Sequence, residues 1–194
     1  MQEYINNFKD FISEFPFYSE TALEMALPYF KLKTLKKGEH FIEQGKICKK
    51  IAFIQSGIFR TYYLKDGLEI TTCFCREYTL TTSYKSLITQ KPSELSMQAI
   101  EDTEIFVINY EDLQTLYGKH LFWQQVGRLV AEKEFITVEN YTRFLNDQTA
   151  KQRYLHILKY ENDILQRVPL IYLASYLQIA PETLSRIRKD LATS

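Results

Sequence analysis

The spacing of apolar residues changes several times along the chain, and each change marks a new element. Tyr4, Phe8, Phe11 and Phe15 fall at i, i+4, i+7 and i+11, one face of a helix that Pro16 should stop. A second short helix is expected from Ser19 to just before Pro28, and the two helices read as a cap on the segment beyond Pro28. From Phe30 to about Ile108 the period becomes two. Short alternating runs cover Phe30–Leu35, His40–Glu43, Ile51–Ile54, Ile58–Leu64, Glu69–Phe74, Ser96–Ile100 and Glu104–Ile108, with turns at Lys37-Gly38, Gln44-Gly45, Ser56-Gly57 and Asp66-Gly67. Asp-Gly between alternating runs is a strong hairpin signal. Many short strands punctuated by glycine predict a jelly roll or barrel.

Helical spacing then returns. Asn109 is expected to cap a helix, with Asp112 three residues on in a capping-box-like arrangement. A long helix is expected from about His120 to Leu145. Phe122, Val126, Leu129, Ile136 and Arg143, with Val130 and Lys133 beside them, draw a narrow seam along it. Such a seam either pairs with a copy of itself or packs on its own β domain. Asn146-Asp147-Gln148 reads as a hinge, and Ala150, Tyr154, Ile157 and Leu158 form the stripe of a supporting helix.

The chain is organised around its last stretch. Leu170, Leu173, Ala174 and Leu177 line a short helix opening on Pro169, and Leu184, Ile187 and Leu191 line a second opening on Pro181. Two short helices around a tight turn at Gln178-Ile179-Ala180, with small Ala174 at the crossing, predict a helix-turn-helix. A left-handed residue is usual in that turn, and Gln178 there costs about 1 kcal/mol. Glu182, Ser185, Arg186 and Lys189 project together from the second helix, opposite Leu184. Arg186 has the donor fork for guanine O6 and N7, and Glu182 can accept from the cytosine amino group. Thr183 and Lys189 suit phosphate oxygens, and Arg188, further round, has a backbone or solvent role. The competing reading is an amphipathic helix with a solvated charged face. The paired stripes and tight turn favour double-stranded DNA, normally read by a two-fold dimer.

Charge refines this. The 194 residues carry 24 Lys/Arg and 24 Asp/Glu. That balance argues against a non-specific nucleic-acid coat protein. From Asn146 onward the net charge is +2, leaving −2 on the rest. No apolar run approaches membrane-spanning length and the N-terminus has no signal-peptide core. Cys48, Cys73 and Cys75 are scattered thiols, so a reducing cytoplasm is expected.

The order of parts, with KKGEHFIEQG and FIQSGIFRTYYLKDG in the strands, AIEDTEIFVINYEDL closing them and LASYLQIAPETLSRIRKDL at the end, resembles the Crp/Fnr family of bacterial transcription regulators. The resemblance implies an α+β fold: a double-stranded β-helix or jelly roll with N-terminal helices (1–117), a dimerisation helix (118–145) and a helix-turn-helix domain (146–194) with a short or missing wing. It implies a sequence-specific regulator whose partners are double-stranded DNA, a second copy and RNA polymerase. By the match of E-T-L-S-R-I, Glu182 and Arg186 read bases and Thr183 holds the backbone, with Pro181, Ser185, Arg188 and Lys189 in the same interface. Members that bind cyclic AMP carry a Gly-Glu pair and an Arg-Ser or Arg-Thr pair late in the roll. Here the stretch is YTLTTSYKSLITQKPSELSMQAI, with Ser93-Glu94 in place of Arg-Ser. A carboxylate there repels phosphate, though Lys85 or Lys91 offers some compensation. A ligand other than cyclic AMP is therefore expected, near Thr79, Thr81, Thr82, Ser83 and Tyr84. No iron–sulfur cluster is expected, because the first cysteine is Cys48, and no haem.

Other chemistry weighs less. Glu39, His40 and Glu43 hint at a cupin metal centre, but that needs a His-x-His pair, and alternation sends Glu39 and His40 to opposite faces. Cys73 and Cys75 share a strand face without further ligands. No nucleophile–base pattern or phosphate loop appears, so no catalytic residue is expected. The runner-up is a ligand-binding or protein-interaction module whose helix-turn-helix does not read DNA.

Overall fold

The computed structural model describes residues 2–192. Close packing divides the chain into two units. Among the described residues, one holds 2–61 and Phe74–Glu132, the other Tyr62–Cys73 and 133–192.

In the first unit, α1 (Gln2–Ser13) and α2 (Glu20–Ala26) precede the strands, and Ser19 caps α2 by accepting from Ala22 N. The strands are β1 (Lys31–Leu35), β2 (His40–Ile42), β3 (Lys50–Ser56), β4 (Phe59–Lys65), β5 (Leu68–Cys75), β6 (Leu80–Thr81), β7 (Ser96–Ala99) and β8 (Thr103–Asn109). They form two four-stranded sheets, ordered β1-β8-β3-β6 and β2-β7-β4-β5. The register pairs Leu32 and Phe53 each with Phe106. Asp66 and Gly67 both have positive φ, 52° and 78°, the conformation a two-residue hairpin turn needs. Gly57 is fixed twice over. Its φ is +97°, and a Cβ there would fall 2.8 Å from Thr103 Cα.

Alternation places two cores on either side of the first sheet. Ala52, Ile54 and Ile105 point inward and meet Phe41, Phe59 and Met97 between the sheets. Ile51, Phe53, Phe106 and Ile108 point outward and are covered by helices. The N-terminal helices are therefore more than a cap. Phe8 is 1% exposed, its ring lies 5.3 Å from Phe53 and 4.6 Å from Phe30, and buried Gln55 donates to Tyr4 O. The cover is completed by α3 (Tyr84–Thr89), α4 (Tyr110–Lys119) and the first half of α5 (Leu121–Asp147). Trp123 of α5 is buried and donates its indole N–H to Ala22 O at 3.0 Å.

Several expectations are corrected. Asn109 is the N-cap of α4 but makes no side-chain capping bond, so the Asn109–Asp112 box does not form. β6 and α3 were not anticipated. Of the expected hinge Asn146-Asp147-Gln148, the first two residues are helical, and the break comes at its third, Gln148, and at Thr149. Arg153 donates to Leu145 O at 2.9 Å, and Arg143 and Asp147 are paired at 3.8 Å; both prolong the last turn of α5. Thr149 instead starts α6 (Ala150–Tyr160) with a complete capping box to Gln152. Among the described residues, no helix is long and apolar enough to cross a membrane.

Candidate nucleic-acid interface

In the second unit, α6 is followed by α7 (Asn162–Arg167), α8 (Leu170–Tyr176) and α9 (Pro181–Ala192). Tyr154, Ile157, Ile164, Val168, Leu173, Ala174, Leu177, Leu184 and Ile187 are all buried, a continuous core beneath four short helices. Two details differ from expectation. Pro169 precedes α8 at its N-cap, and Leu170, expected in the inward stripe, is 40% exposed because it opens the helix before the chain turns into the core.

The turn between α8 and α9 is a Schellman motif. Gln178 has φ +53°, its N–H donates to Ser175 O, and Ile179 N donates to Ala174 O, both at 3.0 Å. The two bonds satisfy carbonyls that end α8 and aim α9 across it. The strain expected at Gln178 is thus present. Gln178→Gly is expected to stabilise this unit by about 1 kcal/mol, seen as a higher urea midpoint; a lower midpoint would show that the glutamine side chain is needed there.

The packing of Leu184 and Ile187 turns the opposite face of α9 outward. Glu182, Ser185, Arg186, Arg188 and Lys189 are exposed, and Thr183 is half-buried at the edge of the row. Glu182, Ser185 and Arg186 make no side-chain bond to another described residue, whereas Lys189 is engaged within the chain. Pro181 opens the helix, and Ala180 before it offers no side-chain acceptor to the first N–H groups. The result is a row of donors and one acceptor on a single helix face, with the N–H groups of the helix N-terminus at its head. The expected short wing would fall on residues 193 and 194, outside the described residues.

The helix before this one is held from a second side. Ser175 Oγ of α8 accepts from Thr71 N and donates to Glu69 O, both at 2.9 Å, bridging two backbone groups of β5. Tyr141 of α5 stacks on Tyr176 at 5.1 Å and donates to Tyr176 O; burial pushes its phenol up, so it stays a donor. These residues carried no sequence signal, since their partners lie far along the chain.

Along the middle of α5, Phe135, Ile136 and Val138 are 65%, 55% and 55% exposed. Only the first turns of the expected seam, through Phe122 and Val126, are buried on the chain itself.

The residues expected around a ligand, in the first unit, are largely occupied. Thr79 donates to Arg76 O, Thr82 donates to Lys50 O, and Ser83 shares a hydrogen bond with Ser93 at 2.7 Å. Thr81 pairs with Ala52 in the sheet, and Tyr84 opens α3. Glu94 is paired with Lys85 at 2.6 Å on the surface, and Lys91 is exposed. Among the described residues, no cluster of three or more His, Cys, Asp or Glu is arranged to hold a metal ion. Glu39 instead accepts from Lys36 N, and Glu43 pairs with Lys46.

Residues 32–120 match the family model of the cyclic nucleotide-binding domain. No curated protein sequence matches the chain significantly. Solved structures share its fold. A Crp/Fnr-family protein from Eubacterium rectale is 17% identical with a TM-score of 0.72, covering 92% of this chain and 87% of that one. FixK2 from Bradyrhizobium japonicum is 18% identical with a TM-score of 0.71, over 84% and 85%. The c-di-GMP-responsive regulator CLP of Xanthomonas campestris is 18% identical with a TM-score of 0.69, over 90% and 92%.

Proposed function

We infer, from a chain whose residues 32–120 match the family model of the cyclic nucleotide-binding domain and whose fold is shared with a solved Crp/Fnr-family structure, a sequence-specific, DNA-binding transcription regulator that acts as a homodimer. The observation that carries this reading is the exposed row of Glu182, Ser185 and Arg186, with no side-chain bond to another described residue, on a helix whose angle is set by the Schellman turn. Arg186 pairs with guanine, Glu182 accepts from cytosine, and Thr183 and Lys189 meet phosphates beside Pro181, Ser185 and Arg188. The exposed apolar residues Phe135, Ile136 and Val138 of α5 are the surface through which two copies pair. Pairing sets two α9 helices on half-sites about 34 Å apart. RNA polymerase is the further partner of such a regulator, the cytoplasm is its compartment, and it performs no catalysis.

The roll takes an effector other than cyclic AMP. With Ser93-Glu94 where the phosphate-binding Arg-Ser pair is expected, and Lys85 already paired to Glu94, the segment presents a carboxylate and no arginine at that point. Neither an iron–sulfur cluster nor haem is part of this reading.

Selection of bound genomic fragments by the purified protein, at two salt concentrations, tests the reading. A two-fold symmetric site that stays enriched at the higher salt is the expected result. Weak binding without sequence preference, lost as salt rises, would leave the helix-turn-helix as a packing or recruiting element.

A further inference from the structure

The first unit holds a cavity of about 360 Å³ outside the roll, on the helix-covered face of the first sheet. Its floor is Phe8, Ile12, Ile51 and Ile108, all buried. Its walls are Leu87 of α3, Leu113 of α4, and Val126 and Val130 of α5. It opens to solvent beside the exposed Ile88, and apolar-lined pockets of this size take largely apolar guests.

Beside the apolar lining stand the neutral polar residues Tyr84, Tyr110, Gln114, Tyr117 and Gln124 and the charged Arg128. Tyr117 reaches it from α4, where it lies so close to α5 that a Cβ on Gly127 would fall 2.8 Å from its ring. Its hydroxyl makes no bond to another described residue. Burial, with smaller contributions from Tyr84 and Tyr110, pushes this phenol up to about 12, so it remains a neutral donor. The charged residue at the rim, Arg128, is bonded to Glu132. The cavity therefore offers a donor but no net charge.

We propose that this cavity binds an uncharged, largely apolar small molecule of about 15 to 20 non-hydrogen atoms with an acceptor oxygen that receives the Tyr117 hydroxyl. The site is distinct from the interior of the roll, which Phe41, Phe59 and Met97 fill from the opposite face of the same sheet. The proposal stands whether or not α9 reads DNA.

The probe is 6-propionyl-2-(dimethylamino)naphthalene, an uncharged dye with one carbonyl acceptor, titrated into the full chain. The chain has a single tryptophan, Trp123, and it lines the cavity. Saturable blue-shifted dye emission, with energy transfer from Trp123, is expected. Ala131→Phe, which projects into the cavity from α5, should weaken binding about tenfold or more, and Ala131→Ser should leave it unchanged. Tyr117→Phe should weaken it about two- to tenfold and blue-shift the bound dye further. The idea is overturned if Ala131→Phe and Tyr117→Phe, folded by circular dichroism, bind as the parent does. It is equally overturned if binding fades as the protein is concentrated, which would mean that side chains of a second copy fill the space.

Discussion

Arg186→Ala is expected to weaken binding to the selected operator by about 1–3 kcal/mol, roughly five- to 150-fold, and to relax preference at one base pair of each half-site. The residue is exposed, lies on the face opposite Leu184, and makes no side-chain bond to another described residue, so the folded protein should be unaffected. Lys189→Ala should behave differently. It should lower affinity for all sequences alike and reduce the slope of log affinity against log salt by about 1. Competition assays with operator and scrambled duplexes at several salt concentrations separate the two effects. If the arginine variant kept both affinity and preference, α9 would not be the reading helix.

Trp123→Ala is expected to cost about 3–5 kcal/mol of stability. The ring is 3% exposed, packs at 5.3 Å against Phe122 and 6.4 Å from Phe30, and its N–H is the partner of Ala22 O. Its removal takes away a large apolar side chain and the hydrogen bond that the indole N–H makes to Ala22 O. The substitution also removes the only tryptophan, so urea unfolding has to be followed by far-ultraviolet circular dichroism. A midpoint close to the parent's would mean that α2 and α5 do not depend on this contact.

The roll was legible because its strands are separated by residues with one dominant use. Gly38, Gly45, Gly57 and Gly67 all have positive φ, and the alternation between them sorted residues onto two sheet faces. β6 is two residues long, too short to show a period, and α3 and α7 are six residues each. α3 is fixed from outside, where Ser86 Oγ accepts from Cys48 N and donates to Lys91 O. Two cap positions came out in opposite ways. Thr149 and Gln152 close a box that their spacing allows but does not single out, while Asn109 and Asp112 do not. The reading face of α9 was legible because it needed only the position of Leu184 and Ile187. The hydroxyls near Thr79 to Ser83 looked available for a ligand because their acceptors, Lys50 O and Ser93, come from elsewhere in the chain.

The bridge from Ser175 Oγ to Glu69 O and Thr71 N lies on the outermost strand of its sheet. A single hydroxyl there takes the bonds that a neighbouring strand would otherwise make. An open edge of this kind is a template on which other chains add. The resting place of α8 therefore guards against aggregation: when the helix lifts away, the protein uncovers a stretch of strand able to recruit its own kind, and crowded or heated samples should cloud first through this edge.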